Sequence, residues 1–391
     1  MQLSKKLDNF VKKIIFLKSK ILTIGVFFFY STSAYPFMSD AKYALLVDYE
    51  TNQILYEKNS RKKIYPASMS KLMTLYILFD YLENNIISLD DKIFISENAW
   101  RKGGAISDSS TMFAEVYSYI SLENIIRGIV IHSGNDACIA ISEAISGSEE
   151  IFSNEMNFYA KKLGMIDTNY INSTGLHDSN HFSTPYDMTL LAKSLIRDFP
   201  NFYHYFSEKE FTWNGIFQAN RNNLLGSDLG VDGLKTGKTS ESGYSMIISS
   251  NKDNIRLIGI VGGLPSRDNR TIEMRKLINY GQRNFRKYNL FNKNDVLDEV
   301  DIWEGKKSKL NILTSENISL LLNIRTKRNL NAKYSFNQPI IAPIKKGQII
   351  GKLTVYNDEK EIVNSSLISG ENIERNNFFG RTLQKIRYLI N

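Results

Sequence analysis

The chain has one cysteine, Cys138, among 391 residues, so no disulfide can form within it and its stability must come from core size. Basic charge is sparse beyond the start. Of a net charge of +8, residues 1–34 supply six lysines against the single acid Asp8, which leaves a weakly basic body. Nucleic-acid binding needs a clustered basic stripe, and this sequence has none, so that class of function is excluded. There are only four histidines, and neither an HExxH nor a GxSxG motif occurs. His177 and His181, in "HDSNH", have a spacing that could hold zinc on a helix, but the flanking Gly175, Asp178, Ser179 and Asn180 indicate a loop. No metal or other cofactor is expected. Internal repeats and low-complexity linkers are also missing.

A phosphate loop is missing too, despite the GKT at Gly237, Lys238 and Thr239 in "VDGLKTGKTSESGYSMIISS". Such a loop needs a glycine five positions earlier, where Asp232 stands, and must open a helix. Instead Tyr244, Met246, Ile247 and Ile248 come next, a run of strand character. The triplet is better read two positions earlier, as Lys235, Thr236 and Gly237 on a strand.

The chain is 42% hydrophobic and long enough for two ordinary domains. Residues 1–34 read as an export signal, with a lysine-rich start, an apolar core from Ile21 to Tyr30, and Thr32 with Ala34 before a cleavage site at Tyr35. The expected domains are then 35–288, which holds all the chemistry, a small all-β domain over 289–370, and a terminal helix over 371–391. In the first, "YALLVDYETNQILYEKN" reads as a hairpin turning at Thr51 and Asn52. Pro66 suits a first helical turn, and from Met69 to Leu82 apolar residues face every direction, as in a buried central helix. Further helices are expected at Ser121–Ile131, Ala137–Ile145, Glu149–Leu163 and Thr184–Ile196. Strands return around Leu234, Tyr244–Ser249 and Arg256–Val261. This order implies an α+β fold in which the first and last strands share one sheet flanked by helices. The β domain is expected from Val300–Trp303, Ile318–Ile324 and Ile349–Tyr356, with turns at Gly347 and Gly351. In the tail, Phe379, Leu383, Ile386 and Ile390 fall at helical spacing with Arg381, Lys385 and Arg387 on other faces, a pattern suited to an anionic membrane surface.

The chemistry is expected on the buried helix. Ser68 and Lys71 are three apart and share a face, whereas Ser70 is rotated by about 100°. A serine hydroxyl becomes nucleophilic when a base takes its proton, and a lysine can do this if its pKa is depressed. Ser133 and Asn135 in "IHSGNDACIA" and Lys235, Thr236 and Gly237 complete the series SxxK, SxN, KTG. Together with "PASMSKLMT", "FSNEMNFYAKKLGMIDTNYINSTGLHD", "HFSTPYDMTLLAKSLIRD", "NRNNLLGSDLGVDGLKTGKTSESGY" and "QPIIAPIKKGQIIGKLTVY", these motifs resemble the penicillin-binding D-alanyl-D-alanine carboxypeptidases over nearly the whole chain.

The resemblance implies a catalytic domain like those of serine β-lactamases and penicillin-binding proteins. It implies an exported, periplasmic enzyme that trims peptidoglycan pentapeptide stems, is acylated by β-lactams, and attaches by its tail to the outer face of the inner membrane. Ser68 is the implied nucleophile, Lys71 the base and Ser133 a proton relay. Asn135 binds the peptide side, Lys235 and Thr236 the carboxylate, and the Lys238 amide the oxyanion. Lys235 is expected to help keep Lys71 neutral. Lys238 departs from the histidine usual in such enzymes. Arg270, with Arg267 as competitor, is implied to meet the terminal carboxylate. Two other readings share these motifs: a β-lactamase, for which no glutamate motif is evident, and a non-catalytic wall scaffold with a relic site. Cys138 reads as a packing residue.

Overall fold

In the computed structural model residues 37–323, 330–336, 338–357 and 359–390 are described, and the expected export segment lies outside them. The chain divides into two compact units, residues 37–283 and the residues from Asn284 onward, a few residues before the boundary expected from the sequence.

The first unit is built on an antiparallel sheet of strands β1 (Tyr43–Asp48), β2 (Ile54–Lys58), β7 (Val231–Thr239), β8 (Gly243–Lys252) and β9 (Ile255–Leu264), in the order β2-β1-β9-β8-β7. The expected hairpin turns at Asn52, whose φ of 60° suits asparagine. All six residues of β1 are buried. Helix α1 (Lys71–Glu83) has every residue from Lys71 to Phe79 buried, because its apolar side chains leave no polar face for water. A tighter 3-10 turn, Ala67–Ser70, leads into it.

The other helices of this unit are α2 (Glu97–Gly103), α3 (Leu122–Arg127), α4 (Asn135–Ser146), α5 (Glu149–Lys162), α6 (Pro185–Asp198) and α7 (Arg267–Asn284), with α5 and α6 packed on α1 and α7 lying against β9 through Met274 and Ile278. Ser148 and Thr184 cap α5 and α6 by accepting the amides of Ile151 and Asp187. The helix expected through Ile131 is α3 continued by a π-type turn, Gly128–His132, which ends at Ser133 with φ 60°. Periodicity did not reveal α2, which is short, or two small ribbons, β3 (Lys92–Phe94) with β4 (Tyr119–Ser121) and β5 (Glu210–Trp213) with β6 (Ile216–Ala219).

The second unit is all-β apart from its last helix. Strands β11 (Val296–Trp303), β12 (Lys309–Thr314), β14 (Leu330–Phe336), β15 (Ile340–Ile341), β16 (Ile349–Asn357) and β17 (Lys360–Ser369) form one sheet, and β10 (Phe285–Phe291) pairs with β13 (Ile318–Asn323). Gly347 takes a positive φ in a turn as expected. Gly351 does not: it lies within β16, at an irregularity in the pairing with β17. Helix α8 (Phe378–Ile390) ends the chain. Among the described residues no helix is long and apolar enough to cross a membrane.

Candidate active site

Two parts of the chain far apart in sequence meet at the Ser68 turn. A Cβ on Gly237 would lie 2.8 Å from the Pro66 carbonyl oxygen and 3.2 Å from Ala67 Cβ, so β7 can run this close to the turn only with glycine there. From the other side Gly175, at φ 79°, would bring a Cβ to 1.9 Å from the Ala67 carbonyl oxygen. Ala67 itself has φ 50°, a left-handed conformation that the pressing neighbours hold in place. Ser68 is thereby half-buried at the edge of α1.

Lys71 is fully buried, and its Nζ lies 3.1 Å from Ser68 Oγ, 2.7 Å from Asn135 Oδ1 and 2.5 Å from the Thr174 carbonyl oxygen. Burial pushes its pKa down to about 8, and the Arg221 guanidinium pushes the same way. Desolvation is the largest cause, Arg221 is a cation that the sequence reading did not name, and the repulsion between Lys71 and Lys235 is mutual. Lys235 is also buried, donates to the Val130 carbonyl at 3.2 Å, and has its pKa lowered by burial and then by Lys71. A buried amine of this kind, in contact with a serine hydroxyl, can take its proton near neutral pH.

Asn135 opens α4 and is anchored on the preceding loop, its amide donating to the Ser110 carbonyl at 2.7 Å and its Nδ2 to Ser109 Oγ at 3.1 Å. Asp136 holds that loop by accepting from Thr111 Oγ1 and from the amides of Met112 and Ala114. Ser133 is buried, and its hydroxyl has no hydrogen-bond partner. Such an unmatched buried group calls for a functional explanation. Thr236 is buried on β7, and Lys238, one residue past Gly237, is exposed beside the Tyr244 ring.

Arg270 is buried in α7, whereas Arg267 is exposed. The Arg270 Nη2 donates to the Arg221 carbonyl at 3.1 Å while Nε has no partner, and burial and then Arg267 push its pKa down to about 10. Arg221, Lys235 and Arg270 are coupled through mutual repulsion, Arg221 and Arg270 lowering Lys235 and Arg221 lowering Arg270, so the three form one concentration of positive charge. Motif reading missed Arg221, Thr174, Ser109 and Ser110. Arg221 and Thr174 lie inside the quoted stretches "NRNNLLGSDLG" and "YINSTGLHD", but nothing in their spacing marks them.

The remaining candidates have other occupations. Ser70 Oγ is 2.8 Å from His181 Nε2, and His181 Nδ1 accepts the Ile171 amide at 3.2 Å, so both ring nitrogens are engaged. Burial lowers the His181 pKa to about 4. His177 packs edge-on against Tyr65. Cys138 is fully buried, and burial pushes its thiol up to about 12, the behaviour of a packing residue.

Residues 31–265 match the D-alanyl-D-alanine carboxypeptidase family, and residues 285–375 match the penicillin-binding protein 5 C-terminal domain. The D-alanyl-D-alanine carboxypeptidase DacC of Escherichia coli is 39% identical over 88% of this chain and 86% of its own. Penicillin-binding protein 5 from Haemophilus influenzae superposes with a TM-score of 0.80 at 34% identity, covering 87% of this chain and 99% of that one. The ampicillin-bound penicillin-binding protein D2 from Listeria monocytogenes superposes with a TM-score of 0.55 at 30% identity, over 63% of this chain and 99% of its own. With the KTG glycine pressed on the Ser68 turn, the SxN asparagine bonded to Lys71, and likeness spanning both units, the chain belongs to the D-alanyl-D-alanine carboxypeptidase family of serine hydrolases.

Proposed function

We propose that the protein removes the terminal D-alanine from peptidoglycan pentapeptide stems through an acyl-enzyme on Ser68. The observation that carries this reading is the buried, low-pKa Lys71 amine 3.1 Å from Ser68 Oγ. Neutral Lys71 takes the hydroxyl proton as Oγ attacks the carbonyl of the penultimate D-alanine. The backbone amides of Ser68 and Lys238 hold the oxyanion. The Lys71 proton passes through the free Ser133 hydroxyl to the leaving nitrogen, the C–N bond breaks, and D-alanine departs. Water, deprotonated by Lys71, then cleaves the ester and restores Ser68. Asn135 orients the peptide, while Lys235, Thr236 and Arg270 receive the terminal carboxylate. β-Lactams acylate Ser68 by the same attack.

Release of D-alanine from a diacyl-Lys-D-Ala-D-Ala tripeptide by the purified protein tests the reading. No release would overturn it. Rapid penicillin turnover without an accumulating adduct would mark a β-lactamase instead.

Arg270 has a test of its own. A charged hydrogen bond to the carboxylate is worth about 1.5–3 kcal/mol, so Arg270→Ala should lower kcat/KM for the free acid by roughly 10- to 150-fold. An amidated substrate should lose far less. Equal losses on both would make Arg270 structural, through its bond to the Arg221 carbonyl.

The tail supports attachment of an exported enzyme to the outer face of the inner membrane. Phe378, Phe379 and Leu383 are exposed by 69, 83 and 54%, and the sequence spacing continues this stripe to Ile386 and Ile390. Arg381 does not stand free: it faces Glu304 at 3.6 Å, and Gln384 bonds the Ile302 carbonyl and the Glu304 amide. The polar face of α8 is thus fastened to its own domain and the aromatic face is left for lipid. Deleting residues 378–391 should release the protein from anionic vesicles and leave tripeptide cleavage unchanged. Co-sedimentation equal to that of the full chain would refute the anchor.

A further inference from the structure

Two of the three polar contacts of the Lys71 amine are with oxygens that can only accept, Asn135 Oδ1 and the Thr174 carbonyl. The third, Ser68 Oγ, can also donate. A neutral amine has two N–H bonds and one lone pair. With both N–H bonds given to the acceptor-only oxygens, the lone pair is left for the Ser68 hydroxyl proton. Loss of either oxygen would let the amine turn an N–H toward Ser68, and a base in that orientation cannot take the proton. The aim of the Thr174 carbonyl therefore bears on the chemistry as directly as the pKa of Lys71 does.

That carbonyl belongs to a short segment without regular structure, so its aim is set by side chains from elsewhere. Ser173, directly before it, is fully buried. The Ser173 carbonyl accepts Thr74 Oγ1 of α1 at 2.8 Å, and its amide and hydroxyl both donate to Glu149 Oε1, at 3.1 and 2.8 Å. Thr174 is turned by Asn172 Oδ1, which accepts its amide, its hydroxyl and the Gly175 amide. Asn135 opens α4 and Glu149 opens α5, so the two acceptors of Lys71 are fixed from the starts of consecutive helices. The Glu149 side chain is half-buried and lines an open cleft of about 380 Å³ with Lys102, Glu143 and Ile171, so its truncation admits water and leaves no dry cavity.

We propose that Glu149 is a positioning residue for the general base: by holding Ser173 it aims the Thr174 carbonyl at Lys71, and so points the lone pair of the amine at Ser68. This role rests on the reading of Lys71 as the base that activates Ser68. Glu149 acts through Ser173 and Thr174 and takes no part in proton transfer itself. Its charge has a second, separable effect. Burial lowers the Lys71 pKa most, Cys138, Glu149 and Asp136 raise it, and Arg221 and, mutually, Lys235 lower it. His181, whose own pKa burial lowers to about 4, carries no charge near neutrality. Orientation acts at every pH, whereas charge moves only the midpoint.

The experiment compares wild type with Glu149→Ala and Glu149→Gln, each checked for folding by thermal melting. Tripeptide cleavage and the rate of penicillin acylation are followed from below to above the Lys71 midpoint. Glu149→Ala should lower kcat and the acylation rate together by about 10- to 100-fold, a deficit that persists on the plateau where Lys71 is neutral. KM should change by less than about twofold, since the lost contact serves the base and not substrate binding. Glu149→Gln keeps an oxygen for Ser173, so its plateau should lie within about threefold of wild type. Its midpoint should move to lower pH, because the charge that raised Lys71 is gone. A wild-type plateau in Glu149→Ala would overturn the role, as would equal plateau losses in the alanine and glutamine variants. A deficit confined to pH below the midpoint would also overturn it, leaving Glu149 as a charge alone. Should Glu149→Ala fail to fold, Glu149→Asp, which keeps the charge and withdraws the oxygen by one carbon, carries the same expectation and the same refutation. If wild type releases no D-alanine from the tripeptide, the carboxypeptidase reading fails by itself, and the penicillin acylation rates still decide the role of Glu149.

Discussion

Ser68→Ala should yield a protein that folds but acquires no penicilloyl adduct by intact mass spectrometry, whereas Ser70→Ala should still be labelled. The contrast arises from where the two hydroxyls go: Ser68 Oγ to the Lys71 amine, Ser70 Oγ to His181. Losing a serine nucleophile costs on the order of 10⁶ in kcat, because the lysine then has nothing to activate. Ser70→Ala strands a buried imidazole nitrogen, a stability cost of about 1–3 kcal/mol, without touching the nucleophile. An adduct of unchanged mass on Ser68→Ala would move the nucleophile elsewhere.

Activity on the tripeptide should rise with pH through a midpoint near 8. The sign is set by the role of the amine: below about 8 Lys71 carries a proton and cannot accept another, and above it the base is free. Lys71 lies close enough to Lys235 to depress it, so the midpoint belongs to the pair and not to one residue. On the alkaline side, loss of positive charge from Arg270, pushed down to about 10 by burial and Arg267, weakens capture of the carboxylate and bends the profile down. Lys71→Met should lower kcat by roughly 10²- to 10⁴-fold, the usual share of a general base, and abolish the rising limb. Lys71→Arg should not rescue it, since a guanidinium stays protonated. A wild-type profile flat between neutrality and pH 9 would exclude Lys71 as the base.

What could be read in the sequence was whatever local periodicity encodes. The i, i+3 spacing placed Ser68 beside Lys71 and turned Ser70 away, and the all-round apolar pattern of α1 announced its burial. The strand character after Gly237 was visible in Met246, Ile247 and Ile248. Long-range packing was not. Arg221 sits in an irregular segment and acts on Lys71 only through the folded contacts, so no motif marked it. The β3–β4 ribbon was hidden for a similar reason, because strands as short as Lys92–Phe94 and Tyr119–Ser121 leave too few residues for an alternation to register. Gly351 was placed in a turn because glycine more often marks one; here it takes an irregular position inside a strand.

The meeting of β7 with the Ser68 turn also bears on when the molecule becomes reactive. β1 pairs with β9, so the central sheet closes only after some two hundred intervening residues have been made and gathered, a topology of high contact order. Until then Ser68 has no pressing strand, Lys71 is hydrated and protonated, and the positive cluster is dispersed. A nascent or partly folded chain is accordingly inert toward both stem peptide and antibiotic. Covalent labelling by penicillin is in that sense a reporter of completed folding, and the fraction labelled in a refolding experiment counts the molecules whose sheet has closed.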